Sequence, residues 1–260
     1  MTAATTTESS VRPLGQSGFR LNLGGCVVLV DPYLSDSVAT LEGPDFARLR
    51  PPPIEPDAIR DASLVLVSHI HPDHCDLDTL LPIARSSPEC RFMGPGQVLR
   101  TLTRHGLDSR RLVQAVERSQ VFGPDVVITA VPAAHKCIER EADGSLRFVG
   151  YVIEHAGRRY YHAGDTCVHD LVLQTLTDIG RIDVAFLPVN ECNFFRDRRG
   201  IVGNMSVRDA FRMADELGVS VMVPMHYDMF APNCVYREEI EIIYARMRPG
   251  FRLVLDAENL

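Results

Sequence analysis

The stretch Ser68-His69-Ile70-His71-Pro72-Asp73-His74-Cys75-Asp76 constrains this chain more than any other. It sets three imidazoles and a carboxylate close together, directly after the apolar run Leu64–Val67. Packing gives no reason for such a loop at the end of a strand. Alternate side chains of an extended segment point the same way, so His69 and His71 can grip one ion together. Asp73 and His74 lie beyond the turn, where they can serve a second ion.

The same kind of ending recurs along the chain. Val126–Val131 runs on to His135, the strand of Arg159–His162 to Asp165, and Val219–Val223 to His226. A lone histidine on an apolar segment is usually structural. Several strand ends carrying metal-type side chains are different, because ends at one edge of a sheet converge on a common site. His105, His155 and His169 read as structural or surface residues. The convergent set offers imidazole and carboxylate without thiolate, which suits two divalent ions of zinc, manganese or iron.

The flanking pattern is that of alternating strands and helices. Phe19–Leu23 and Cys26–Val30 form an expected hairpin around Gly24-Gly25, and Phe148–Glu154 with Arg159–His162 a second one around Ala156-Gly157. Two similar halves would each open with such a hairpin. Strands are also expected at Arg91–Gly94, Val184–Leu187 and Phe251–Leu255. Helices are expected at Leu77–Ala84 behind Asp76, at Gly96–His105, at Val207–Leu217 between Ser206 and Gly218, and at Glu238–Met247.

Composition sets the broad class. No low-complexity linker interrupts the 260 residues, so residues 1–260 read as one domain, with residues 1–12 as a flexible tail. The formal net charge of −7 argues against a nucleic-acid partner or an anionic membrane. No apolar run is long enough to span a bilayer, and the N-terminus lacks the features of a secretory signal. Seven cysteines are scattered with no Cys-x-x-Cys pair. That argues against a disulfide framework or a thiolate zinc site and points to a reducing cytoplasm. Cys75 and Cys167 adjoin ligand positions and read as small buried fillers.

With these residues in view, the chain resembles the metallo-β-lactamase-fold hydrolase superfamily, whose ligands match His69, His71, Asp73, His74, His135, Asp165 and His226. The resemblance implies an α/β (α+β) chain folded as a four-layer αββα sandwich with two metals at the sheet edge. One ion would be held by His69, His71 and His135, the other by Asp73, His74 and His226, with Asp165 bridging. Within the superfamily the chain is similar to the L-ascorbate-6-phosphate lactonase-like branch. The supporting segments are Asp31–Ser35, Tyr161–Thr166, Asn204–Val207 and Val223–Asp228, whereas Asn190–Gly200 departs from that branch. His71 stands where flavin-linked oxygen reductases carry Glu, and His74 where true β-lactamases carry an Asp-Arg variant.

The expected activity is therefore hydrolysis of a lactone or a related small anionic ester by hydroxide generated at the metals, with Asp73 and Asp165 as catalytic carboxylates. Asn190, Glu191, Asn193, Arg196 and Tyr227 are the expected substrate contacts. A guanidinium of Arg196, Arg198 or Arg199 can clamp a carboxylate or phosphate. Asp31 is expected to orient a ligand histidine. A phospholipase-D-like phosphodiesterase shares the ligands and is the rival enzyme; a metal-binding protein without catalysis is the rival of another class. The lactonase resemblance also suggests a homo-oligomer.

Overall fold

The computed structural model describes residues 9–123, 125–257 and 260. Two β-sheets carry the fold. The first follows chain order: β1 (Ser10–Gly15), β2 (Gly18–Leu23), β3 (Cys26–Val30), β4 (Leu64–Leu66), β5 (Arg91–Gly94) and β6 (Leu112–Gln114). The second sheet contains β7 (Gln120–Phe122), β8 (Val126–Pro132), β9 (Val149–His155), β10 (Arg158–His162), β11 (Val184–Pro188), β12 (Val221–Met225) and β13 (Arg252–Leu253), again in unbroken order. Each sheet contains an antiparallel hairpin whose second strand starts a parallel run. β2–β3 leads into β4, β5 and β6, and β9–β10 leads into β11, β12 and β13. Successive parallel strands therefore deliver their C-terminal ends to the same edge.

The helices are α1 (Ser37–Glu42), α2 (Leu77–Ser86), α3 (Gly96–Arg104), α4 (Asp170–Ile179), α5 (Phe194–Asp197), α6 (Val207–Glu216) and α7 (Arg237–Met247), of which α2 and α3 cover the first sheet and α4, α6 and α7 the second. The first sheet shows why both of its faces are apolar. Side chains alternate across a strand. Val28 and Val30 of β3, with Leu64 and Leu66 of β4, join the core shared with the second sheet. Val27, Leu29 and Val65 instead join a core with Leu80 and Ile83 of α2 and Val98 and Leu102 of α3. On the other side Leu176 of α4, Phe211 of α6 and Ile240 of α7 pack with the second sheet. The result is the four-layer αββα arrangement. Tyr151 ties the two sheets directly, its hydroxyl donating to the Val67 carbonyl at 2.8 Å.

Local chemistry sets the helix starts. The Asp76 carboxylate accepts from the Asp78 N–H at 3.2 Å, and Ser206 Oγ accepts from the Asp209 N–H at 3.1 Å. The expected tail needs correction. Residues 1–8 of it lie outside the described residues, but Ser10–Arg12 belong to β1 and pair with Arg20–Asn22. The pattern reading also passed over β6, β7, α1, α4 and α5, most of which are too short to show a period.

Candidate metal centre

Four strand ends meet at the edge between the sheets. β4 ends before His69, His71, Asp73 and His74; β8 before His135; β10 before Asp165; and β12 before His226. The three rings His69, His71 and His135 lie with centroids 4.6 to 5.4 Å apart. His74 and His226 stack at 5.4 Å. Asp165 Oδ1 lies 3.3 Å from His74 Nε2 and 3.4 Å from His226 Nε2. Asp73 Oδ2 lies 3.2 Å from His226 Nε2. Three groups have ligand atoms within 4.8 Å of one another: His69, His71 and His135; His69, His74 and Asp165; and Asp73, His74 and His226. Asp165 thus sits between a three-histidine group and a mixed group, and all seven expected ligands come together.

The donor atoms fit metal ions. His69 Nε2 and both ring nitrogens of His135 are buried with no hydrogen-bond partner, while His74 Nε2 and Asp165 Oδ1 are buried facing each other across 3.3 Å. An unsatisfied buried polar atom costs about 1–3 kcal/mol. Several in one cluster would be a large penalty unless something coordinates them. The rings are also turned for this role. Asp31 Oδ2 accepts from His74 Nδ1 at 2.8 Å and from Ser68 Oγ at 2.6 Å. Since the Ser68 hydroxyl hydrogen goes to Asp31, its oxygen accepts from His69 Nδ1 at 2.9 Å. Both histidines then present Nε2 to the centre, so Asp31 orients one ligand directly and a second through Ser68.

The loops are over-determined. The Ala134 N–H donates to Thr166 Oγ1 and the Cys167 N–H to the Ala134 carbonyl, which clips the His135 loop to the Asp165 loop. Gly164 has φ +59, and a Cβ there would lie 2.6 Å from the Val149 carbonyl, so only glycine fits this turn. Gln16, Asp31 and His226 also have positive φ, at 52°, 42° and 62°. Such backbone costs a non-glycine residue roughly 1–3 kcal/mol, strain that collects at functional sites.

The charges divide between the groups. Burial holds His69, His71 and His135 below the usual histidine range. Burial also works against the charge of His74 and His226, but Asp165 and Asp73 outweigh it and raise both. Burial alone would raise Asp73 and Asp165, yet His74 and His226 hold both well below the carboxylate range.

A pocket of roughly 720 Å³ opens over the centre, lined by His71, Asp73, His135, Asp165 and His226. The expected substrate contacts are not on its wall. Asn190 is fully buried; it donates to Asn233 Oδ1 and accepts from Asn204 Nδ2, in an amide chain that stops behind His226. Glu191 turns the chain at φ 42°, and Asn193 caps α5 by accepting from the Phe195 and Arg196 N–H groups. Arg196 points back and donates to the carbonyls of Asn190, Glu191 and Cys234. Tyr227 lines a different pocket of roughly 400 Å³ with Arg48, Arg50 and Asp228. Arg199 is the arginine that reaches the wall over the centre, with Glu42, Asp45, Phe46, Ile201 and Phe230.

The pattern reading gave Gln16 and Ser68 no role. Ser68 directly precedes the motif, and that adjacency is a signal. Gln16 carries none. Cys75 is buried in the core beneath α2, outside the ligand groups.

A family model described as the beta-lactamase superfamily domain matches residues 27–227. An uncharacterised protein of Mycobacterium tuberculosis is 27% identical over 241 residues, 90% of this chain and 63% of that protein. The probable L-ascorbate-6-phosphate lactonase UlaG of Salmonella newport is 26% identical over 222 residues, 79% of this chain and 61% of that protein. The chain thus spans less than two-thirds of the length of these curated relatives. A metallo hydrolase of Ignicoccus hospitalis superposes with a TM-score of 0.69 at 21% identity, covering 96% of both chains, which is a likeness of fold. The matched stretch takes in every expected ligand from His69 to His226, and the chain belongs to the beta-lactamase superfamily.

Proposed function

We propose that the chain opens a lactone or cleaves a related small anionic ester, using two divalent ions of zinc, manganese or iron. The observation that carries this is the set of buried, unpartnered donor atoms at the floor of a pocket large enough for a small molecule. His69, His71 and His135 would hold one ion, and Asp73, His74 and His226 the other, with Asp165 shared. Bound ions supply Lewis acidity and lower the pKa of water so that hydroxide is available near neutral pH. The similarity to a probable sugar-phosphate lactonase supports the lactone class.

The chain's own groups do the rest. Asp73 is 16% exposed against 4% for Asp165, so it is the carboxylate open to the pocket. Held ionised by its histidines, it can orient the attacking water by accepting a hydrogen bond from it. Phe46, Ile201 and Phe230 give the pocket an apolar wall. Arg199 gives it a cation, paired with Asp45 at 2.8 Å where the two side chains are 51% and 70% exposed. An exposed pair of this kind is worth about 0–1 kcal/mol. A hydrogen bond to a charged substrate group contributes about 1.5–3 kcal/mol, enough to win Arg199 from Asp45.

The test is turnover on a panel of lactones, sugar-phosphate lactones and a chromogenic phosphodiester. Chelation should abolish it, and Zn²⁺ or Mn²⁺ should restore it. His71→Ala should cost roughly a thousandfold, since several kcal/mol of charge stabilisation go with the ligand. Arg199→Ala should raise KM for anionic esters about tenfold and leave neutral esters alone. Full turnover after verified metal removal sinks the proposal, and turnover confined to the phosphodiester transfers the site to the phosphodiesterase reading.

A further inference from the structure

The turn between β1 and β2 reaches into the metal centre from outside the stretch that carries the family resemblance. At its tip Gln16 is only 6% exposed. Its side-chain amide Nε2 donates to Asp73 Oδ2 at 2.8 Å and lies 3.2 Å from His226 Nε2. Its backbone carbonyl accepts from the His226 N–H at 3.2 Å. One residue therefore touches two members of the mixed group, through its side chain and its backbone. The three-histidine group receives no contact from it; the ring beside those histidines is Phe148.

The turn is held in place from both sides. His162 Nε2, at the end of β10, donates to the Ser17 carbonyl at 2.7 Å. A Cβ at Gly18 would lie 3.0 Å from the Asp31 carbonyl, so the chain passes close under the strand that carries the histidine orienter. Gln16 also adopts φ 52°, a conformation that glycine or asparagine enters more readily. A turn needing only that shape would be better served by glycine. The side chain does something that the turn itself does not require.

We propose that Gln16 is a positioning residue for the ion held by Asp73, His74 and His226, and that it sets the affinity of that ion alone. The amide fixes Asp73 Oδ2, the oxygen that faces His226 and His74. The carbonyl fixes the backbone of His226, whose own φ is 62°. Partners at this distance from an ion typically change its affinity about 10- to 100-fold. The inference rests on the two-ion reading of the site and is independent of which bond is cut.

The experiment is calorimetric titration of the metal-free, full-length chain with Zn²⁺, which should show two binding events in the wild type. His135→Ala should remove the event that belongs to the three-histidine group and so assign the two. Gln16→Met keeps side-chain length without the donor, and Gln16→Gly relieves the backbone while removing the amide. Both should weaken the remaining, mixed-group event about 10- to 100-fold and leave the three-histidine event within about twofold. Equal weakening of both events in either variant, or no weakening, overturns the proposal. A wild type that takes up fewer than two ions overturns the two-ion reading beneath it, which is a different result from either.

Discussion

The three-histidine side of the centre and the Asp73–His74–His226 side use overlapping chemistry in opposite charge states. Burial keeps His69, His71 and His135 neutral, ready to donate a lone pair. Around His74 and His226 burial is overruled by Asp165 and Asp73, and the imidazoles keep their protons to higher pH. The supports differ too. Phe148 packs against the first group, whose His69 is held by the neutral Ser68 hydroxyl, while Asp31 just past β3, the β1–β2 turn and the segment after β12 hold the second. The lesson is that a carboxylate added to a cluster of histidines supplies negative charge for an ion, and in the ion's absence stores protons that must leave before it binds.

Removing Asp31 is the sharpest way to break the comparison. Asp31→Asn should weaken the ion at His74 about 10- to 100-fold, because that ring loses a direct charge-assisted partner. Ser68→Ala should weaken the ion at His69 by less, since a single neutral hydrogen bond is lost. Zinc titration of the two variants checks both. Similar losses at both ions in both variants would show that the groups do not have separate supports.

Acidity should separate the groups next. A histidine must be neutral to bind a metal. His74 and His226 have pKa values raised above the ordinary 6.5, so each keeps its proton to higher pH than an ordinary histidine and the ion must expel it there. Affinity at the mixed group should then rise with pH by about tenfold per unit for each proton released, until pH passes those raised values. His69, His71 and His135 titrate below 6.5, so affinity at their group should stay flat between about pH 7 and 8. Zinc competition against a chromophoric chelator across this range measures both slopes. Equal slopes would remove the charge distinction.

Rescue should show a smaller effect. Asp73→Asn leaves a neutral group beside His226, so the pH slope at the mixed group should shrink without vanishing, because Asp165 still faces both rings. The same titration reads this change, and an unaltered slope would place the proton store elsewhere.

Much of the fold was legible because its signals are local. Alternation marked β2, apolar runs marked β3 and β8, and Asp76 and Ser206 marked the starts of α2 and α6. Where the local signal is short or mixed, it failed. β6 and β7 have three residues each, and β1 lies against a polar N-terminal run that reads as a tail. In the site, ligand types at strand ends could be read because each carries its own chemistry. Arg196 and Arg199 could not be told apart, since a guanidinium three residues away looks the same until the turn after α5 sends one to backbone carbonyls and the other to the pocket.

The sequence by itself determined which atoms are available for a metal: imidazoles and carboxylates at the ends of apolar strands, with no thiolate pair. That follows from composition and spacing, which need no knowledge of long-range contacts. Only the tertiary structure decided how those atoms are divided, which of them hold protons and which neighbours aim them. Gln16 stands 57 residues from Asp73 and 210 from His226, and Asp31 stands 43 from His74. Contacts at such separations are set by how the two sheets pack, and packing is a property of the whole core.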